Sequence, residues 1–114
     1  TAQTLRGLAQ LLRAQRIDFQ VVLLPIRIQV SLAEWRLFKR RYGLNGQRVD
    51  LRAPNRRLLA VCAEAGIDCL DPTDAMAAAI ENDGLQAFRP RGDMHYNEAG
   101  NAFIADWLAA RSRP

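Results

Sequence analysis

A chain of 114 residues, 49% hydrophobic and 25% charged, has the balance of one globular domain, long enough to bury about 65% of the surface its unfolded form exposes. It contains no low-complexity tract, no internal repeat and no apolar run of membrane-spanning length, so neither a disordered module nor a membrane segment is expected. The net charge of +4 rests on fifteen Arg and one Lys, Lys39, scattered from Arg6 onward. Cations without a single stripe and without interleaved aromatics argue against a nucleic-acid partner.

Residues 2–16 place Leu5, Leu8, Ala9 and Leu12 at helical spacing with Arg6, Gln10 and Arg13 turned outward, which predicts a helix packed by one face. Phe19 to Ile26 is nearly continuous and rich in Val and Leu. It reads as a parallel strand buried on both faces, ended by Pro25. Ser31 with Glu34 three residues on forms a capping box, opening a helix whose buried face is Leu32, Trp35, Phe38 and Tyr42 and whose stop is Gly43. A polar stretch from Leu44 to Ala53 follows, and Pro54 starts the next helix, with Leu58, Leu59, Cys62 and Ala65 inward and Gly66 at its end.

Ile67 to Leu70 is a second, shorter strand. Asp71 caps a helix with Pro72 at its first position and Ala75, Met76, Ala79 and Ile80 inward, ending at Asn82-Asp83-Gly84. Asn97 caps a last helix, whose Phe103, Ile104, Trp107 and Leu108 make it the most amphipathic segment. Trp35 and Trp107 are expected in the core. Cys62, on an apolar helix face, and Cys69, in an apolar run, read as buried free thiols, with a bridge as the alternative.

The order helix, strand, helix, helix, strand, helix, loop, helix implies an α/β fold with a parallel sheet in a three-layer arrangement. Two strands are few for such a sheet. Residues 1–114 therefore read as a single domain or the carboxyl-terminal half of a larger doubly wound one, and a first residue Thr1 without an initiator Met or signal pattern suits a processed or excised piece.

The chemistry concentrates in Asp93-Met94-His95-Tyr96-Asn97-Glu98-Ala99-Gly100, which holds the only histidine. An Asp bonded to one imidazole nitrogen leaves the other to take a proton from a hydroxyl, the orienter and base of a Ser-His-Asp triad. A histidine that merely helps cap a helix is the plain alternative. His95, Asp93 and Asp71 make a poor zinc set, and no metal or cofactor is expected.

This block, together with the strand ending at Leu23-Leu24-Pro25 and the run Gly66 to Asp71, resembles the SGNH (GDSL-type) hydrolases over most of residues 19–110. The resemblance implies a flavodoxin-like fold, an acyl-serine mechanism and ester substrates such as lipids or O-acetylated carbohydrates. Asp93 would orient the imidazole and His95 would act as base, then acid. The two-residue Asp-to-His spacing is similar to that of alginate O-acetyltransferase-like proteins, which leaves hydrolysis and acyl transfer both open. The family's Gly-Asp-Ser nucleophile is missing: Gly92-Asp93 is followed by Met94, Ser31 is a helix cap and Ser112 lies in a polar tail. An amino-terminal Thr1 nucleophile is the remote substitute. The expectation is an Asp-His contributor, inactive alone, whose Ser comes from an amino-terminal half of the same domain or a second chain. An extracytoplasmic parent suits such an enzyme. The rival expectation is a non-catalytic binding or structural module that associates with another chain or with itself through an open sheet edge.

Overall fold

A computed structural model describes residues 2–111; Thr1 and Ser112 lie outside the described residues. The elements run α1 (Ala2–Ala14), β1 (Gln20–Val22), α2 (Arg27–Val30), α3 (Leu32–Arg41), α4 (Ala53–Ala65), β2 (Asp68–Leu70), α5 (Thr73–Asn82) and α6 (Glu98–Ala109). The fold is thus mixed α/β and mostly helical, with two short parallel strands among the described residues. Among the described residues no helix is long and apolar enough to cross a membrane. The chain divides into two compact units, one made of residues up to 23 with 50–71, the other of 24–49 with 72 onward.

In the first unit β1 and β2 pair in parallel, Gln20 opposite Asp68, Val21 opposite Cys69 and Val22 opposite Leu70. The strand expected over Phe19 to Ile26 is only three residues long, and Gln20 is exposed with Val21 and Val22 half-buried. Burial on both faces requires an element packed against each face of the strand, and here Val21 and Val22 remain half-buried. The core is Ala9 of α1, Cys62 of α4 and Ile67, flanked by Leu5, Phe19, Val21 and Leu58. The polar and apolar sides separate most sharply in α1 and least in α6, the reverse of the sequence expectation, because Ala99, Ala102, Ala105 and Ala109 blur the polar side of α6.

The end of α4 is fixed by chemistry at one turn. Gly66 takes φ 63° as the left-handed cap, where a side chain would be strained. Arg13 donates to the carbonyls of Ala65 and Gly66 at 2.7 and 2.9 Å, a cation at the negative end of the helix. This turn brings β2 back along α4, with the Cα atoms of Cys62 and Cys69 6.1 Å apart and their sulfurs joined in a disulfide. The free thiols expected from the apolar surroundings are therefore not found. A closed loop of this length restricts the unfolded chain by about 2.5 kcal/mol. Denaturant melts of reduced and oxidised protein should differ by about that amount, with the reduced form the less stable; coincident curves would mean that the bridge carries no stability.

The second unit gathers around Val30, Met76, Ala87 and Ile104, with Ile80, Phe88, Phe103 and Leu108 packed against them. The α2 turn, hidden in the sequence behind Pro25, starts where the Gln29 side chain accepts from the Ile26 amide at 3.0 Å, and it supplies Val30 to this core. Ser31 caps α3 as expected, its Oγ accepting from the Glu34 amide at 3.3 Å. The buried face expected of α3 is absent: the helix has no buried residue, Leu32 is 59% and Tyr42 57% exposed, and Trp35 is half-buried outside both cores. Helix α5 begins one residue later than expected, with Pro72 rather than Asp71 at the cap position, and the Asp71 carboxylate accepts from the Asn55 side-chain amide at 2.8 Å.

Candidate functional site

The Asp-x-His block is anchored at its downstream end by Asn97. The Asn97 side-chain oxygen accepts from the Gly100 amide at 2.9 Å, capping α6. Its side-chain nitrogen donates to the carbonyls of Gln86 and Phe88 at 2.6 and 3.2 Å, and its backbone amide donates to the Ala87 carbonyl at 3.1 Å. The expected cap is therefore present, and it is also a clasp on the segment before the site. Phe88 and Tyr96 face each other as an antiparallel bridge with ring centroids 5.0 Å apart, and the Arg89 amide donates to the His95 carbonyl at 3.0 Å. Residues 89–95 thus form a closed loop, turned at Arg91 and Gly92, both at positive φ.

Within this loop the two expected site residues meet. Asp93 Oδ1 lies 2.6 Å from His95 Nδ1 and also accepts from the His95 backbone amide at 2.8 Å. With Nδ1 engaged by the carboxylate, Nε2 is the nitrogen left for a hydroxyl proton. The imidazole side chain is 82% exposed and that of Asp93 37%. The bonds from the His95 amide and ring, with the positive charge of Arg89 adding to them, hold the Asp93 carboxyl below its ordinary range, which keeps it ionised as an orienting group must be.

Two further residues hold this loop, and neither was signalled by the sequence. Arg27 donates from Nη1 to the carbonyls of Arg89 and Asp93, both at 3.0 Å, and pairs through Nη2 with Glu34 at 3.0 Å. Its guanidinium also lies over the Phe88 ring, 5.7 Å from the centroid. Tyr96 donates its hydroxyl to the Pro25 carbonyl at 2.5 Å, and burial pushes its phenol up to about 12, so the donor stays protonated throughout the neutral range. An arginine among fifteen carries no mark of such a role.

Ser31 is bonded to Glu34 as a cap and makes no hydrogen bond to His95 among the described residues. No group of three or more His, Cys, Asp or Glu side chains that could hold a metal ion occurs among the described residues. No family model, curated protein or solved structure matches the chain.

Gly100 sets how closely α6 can approach. A Cβ there would stand 2.1 Å from the Ala87 carbonyl oxygen, a backbone atom that cannot swing aside. Gly100→Ala should cost about 1–3 kcal/mol, the usual range for overpacking, read as a lower denaturation midpoint; an unchanged midpoint would show that α6 can shift freely.

The Asp93 carboxyl also predicts a pH dependence. Its pKa is lowered on folding, so its contribution to loop order is complete above the ordinary value of 3.8 and is lost as pH falls through the depressed folded value. The side-chain carbon resonance of Asp93 should titrate with a midpoint below 3.8, and the His95→Ala variant should move that midpoint up. A midpoint at the ordinary value in the wild type would remove the bonded pair.

Proposed function

We propose that this chain supplies the Asp-His pair of a serine acyl-transfer site in an SGNH-type esterase or O-acyltransferase, Asp93 orienting and His95 moving the proton. The single observation that carries the reading is the contact of 2.6 Å between Asp93 Oδ1 and His95 Nδ1, in a loop fastened at both ends by Arg27, Tyr96 and Asn97. In the reaction His95 Nε2 would take the proton of the serine hydroxyl as its oxygen attacks the ester carbonyl, and return it to the leaving alkoxide. The substrates are esters, of lipids or O-acetylated carbohydrates. The serine is supplied by another segment, from an amino-terminal half of the same domain or from a second chain, which would also complete the sheet toward a three-layer flavodoxin-like arrangement. The Cys62–Cys69 disulfide favours an extracytoplasmic setting, where such bonds persist.

A second reading has its own support. Among the described residues the sheet has two strands, so each has an outer edge that no further strand covers there, a template for another strand. On that reading the chain is a binding or structural module and Asp93 and His95 stabilise the loop.

The two part on one comparison. In the complete protein, containing a segment with Gly-Asp-Ser, His95→Ala should lower kcat for a short-chain ester by about 10⁴-fold or more with an unchanged melting temperature. Asp93→Asn should lower it by a similar order, because the imidazole loses its correct tautomer. Full activity of His95→Ala would sink the triad assignment, and a stable oligomer with no serine-bearing segment would favour the module.

A further inference from the structure

One face of the second unit is left over once its core and its loop are accounted for. Trp35, Phe38 and Tyr42 stack along α3 with centroid separations of 5.9 and 4.5 Å, yet none belongs to either buried cluster. Leu37, Phe38, Tyr42, Arg91 and Met94 are among the residues that line an open groove of about 660 Å³. Leu37 is 52% and Met94 44% exposed. The volume falls in the range of small-molecule sites, and an apolar lining with a few placed charges is their usual composition.

The charges in this groove are uneven. Arg27 and Glu34 reach it but neutralise each other in their ion pair. Arg41 and Arg91 also line it, and neither is in an ion pair among the described residues. Arg41 instead lies over the Tyr42 ring at 5.9 Å, so its guanidinium is held at the aromatic wall. Arg91 is held in the loop turn at φ 63°, a backbone conformation that an L side chain adopts at a cost.

We infer that this groove is a binding site for a free single-chain amphiphilic anion, an alkyl chain ending in a carboxylate. The chain lies against Leu37, Phe38, Tyr42 and Met94, where removal of apolar surface from water drives binding. The carboxylate meets Arg41 and Arg91, planar donors matched to it. Two guanidiniums over an apolar floor suit one anionic head and one chain; they do not suit a polyanion, which would need a row of cations and no apolar floor. The thioether of Met94 adapts to chains of differing shape. Asp93 and His95 themselves do not line the groove, although Arg91, Gly92 and Met94 of the same loop do, and the proposal does not rest on the catalytic reading.

The test is a titration of the 114-residue chain with octanoate and, separately, octan-1-ol, followed by the methyl resonances of Met94 and Leu37. Octanoate should shift both saturably and bind at least about tenfold tighter than the alcohol, the anion's share of the affinity. The double variant Arg41→Gln, Arg91→Gln should reduce octanoate to the affinity of the alcohol, and Leu37→Glu, at an exposed position that leaves the fold intact, should abolish binding of both. The 114-residue chain contains no Gly-Asp-Ser serine, so octanoate binding by it is read independently of the esterase reading. Equal affinity for acid and alcohol, an absence of saturable shifts, or binding to phosphatidylglycerol vesicles with none to monomeric octanoate would each overturn the proposal.

Discussion

One amide side chain, that of Asn97, decides where the site stands. Its oxygen meets the first turn of α6 and its nitrogen meets two carbonyls of the preceding segment, so helix and loop share a single joint. The geometry is satisfied only because Gly100 lets α6 sit against the Ala87 backbone. Cap, clasp and close approach are three parts of one constraint: remove any of them and the loop bearing Asp93 and His95 loses its fixed relation to the helix.

Arg27 is the electrostatic counterpart of that joint. A mostly buried guanidinium is tolerated when every direction of its fork is answered, and here two loop carbonyls, the Glu34 carboxylate and the Phe88 ring answer it. The bond from Tyr96 to Pro25 adds a second neutral anchor. The result is a loop whose backbone is fastened from beneath while its imidazole stays in water. Preorganised geometry is half of what a proton-transfer pair needs. A dry surrounding is the other half, and an imidazole this exposed acquires it only when another surface closes over it.

The elements that could be read from the sequence were those with local causes. Ser31 with Glu34, Pro54 with Gly66 and Asn97 with Gly100 each mark a helix end through a bond or a backbone conformation made within a few residues. Asp93 and His95, two residues apart, belong to the same class, and their contact follows from spacing. What escaped depends on partners far along the chain. Whether a Val-rich run becomes a fully buried strand depends on neighbouring strands, whether Cys62 and Cys69 bond depends on the turn at Gly66, and whether the apolar face of α3 is covered depends on what lies across from it. Arg27 escaped for the same reason, since its partners at 89 and 93 lie more than sixty residues away.

That separation has a consequence for the order of events as the protein is made. Pro25, which accepts the hydrogen bond of Tyr96, precedes it by 71 residues. At ordinary ribosomal rates that interval is roughly 4 to 14 s. Until Tyr96 is made the carbonyl of Pro25 lacks its partner, and until residues 89 and 93 are made so does the guanidinium of Arg27, while α1 can already be winding. The Asp-His pair is therefore set only after the segments from α1 to α5 have been made, and a ribosome that stalls before Tyr96 leaves those helices without the loop's anchors.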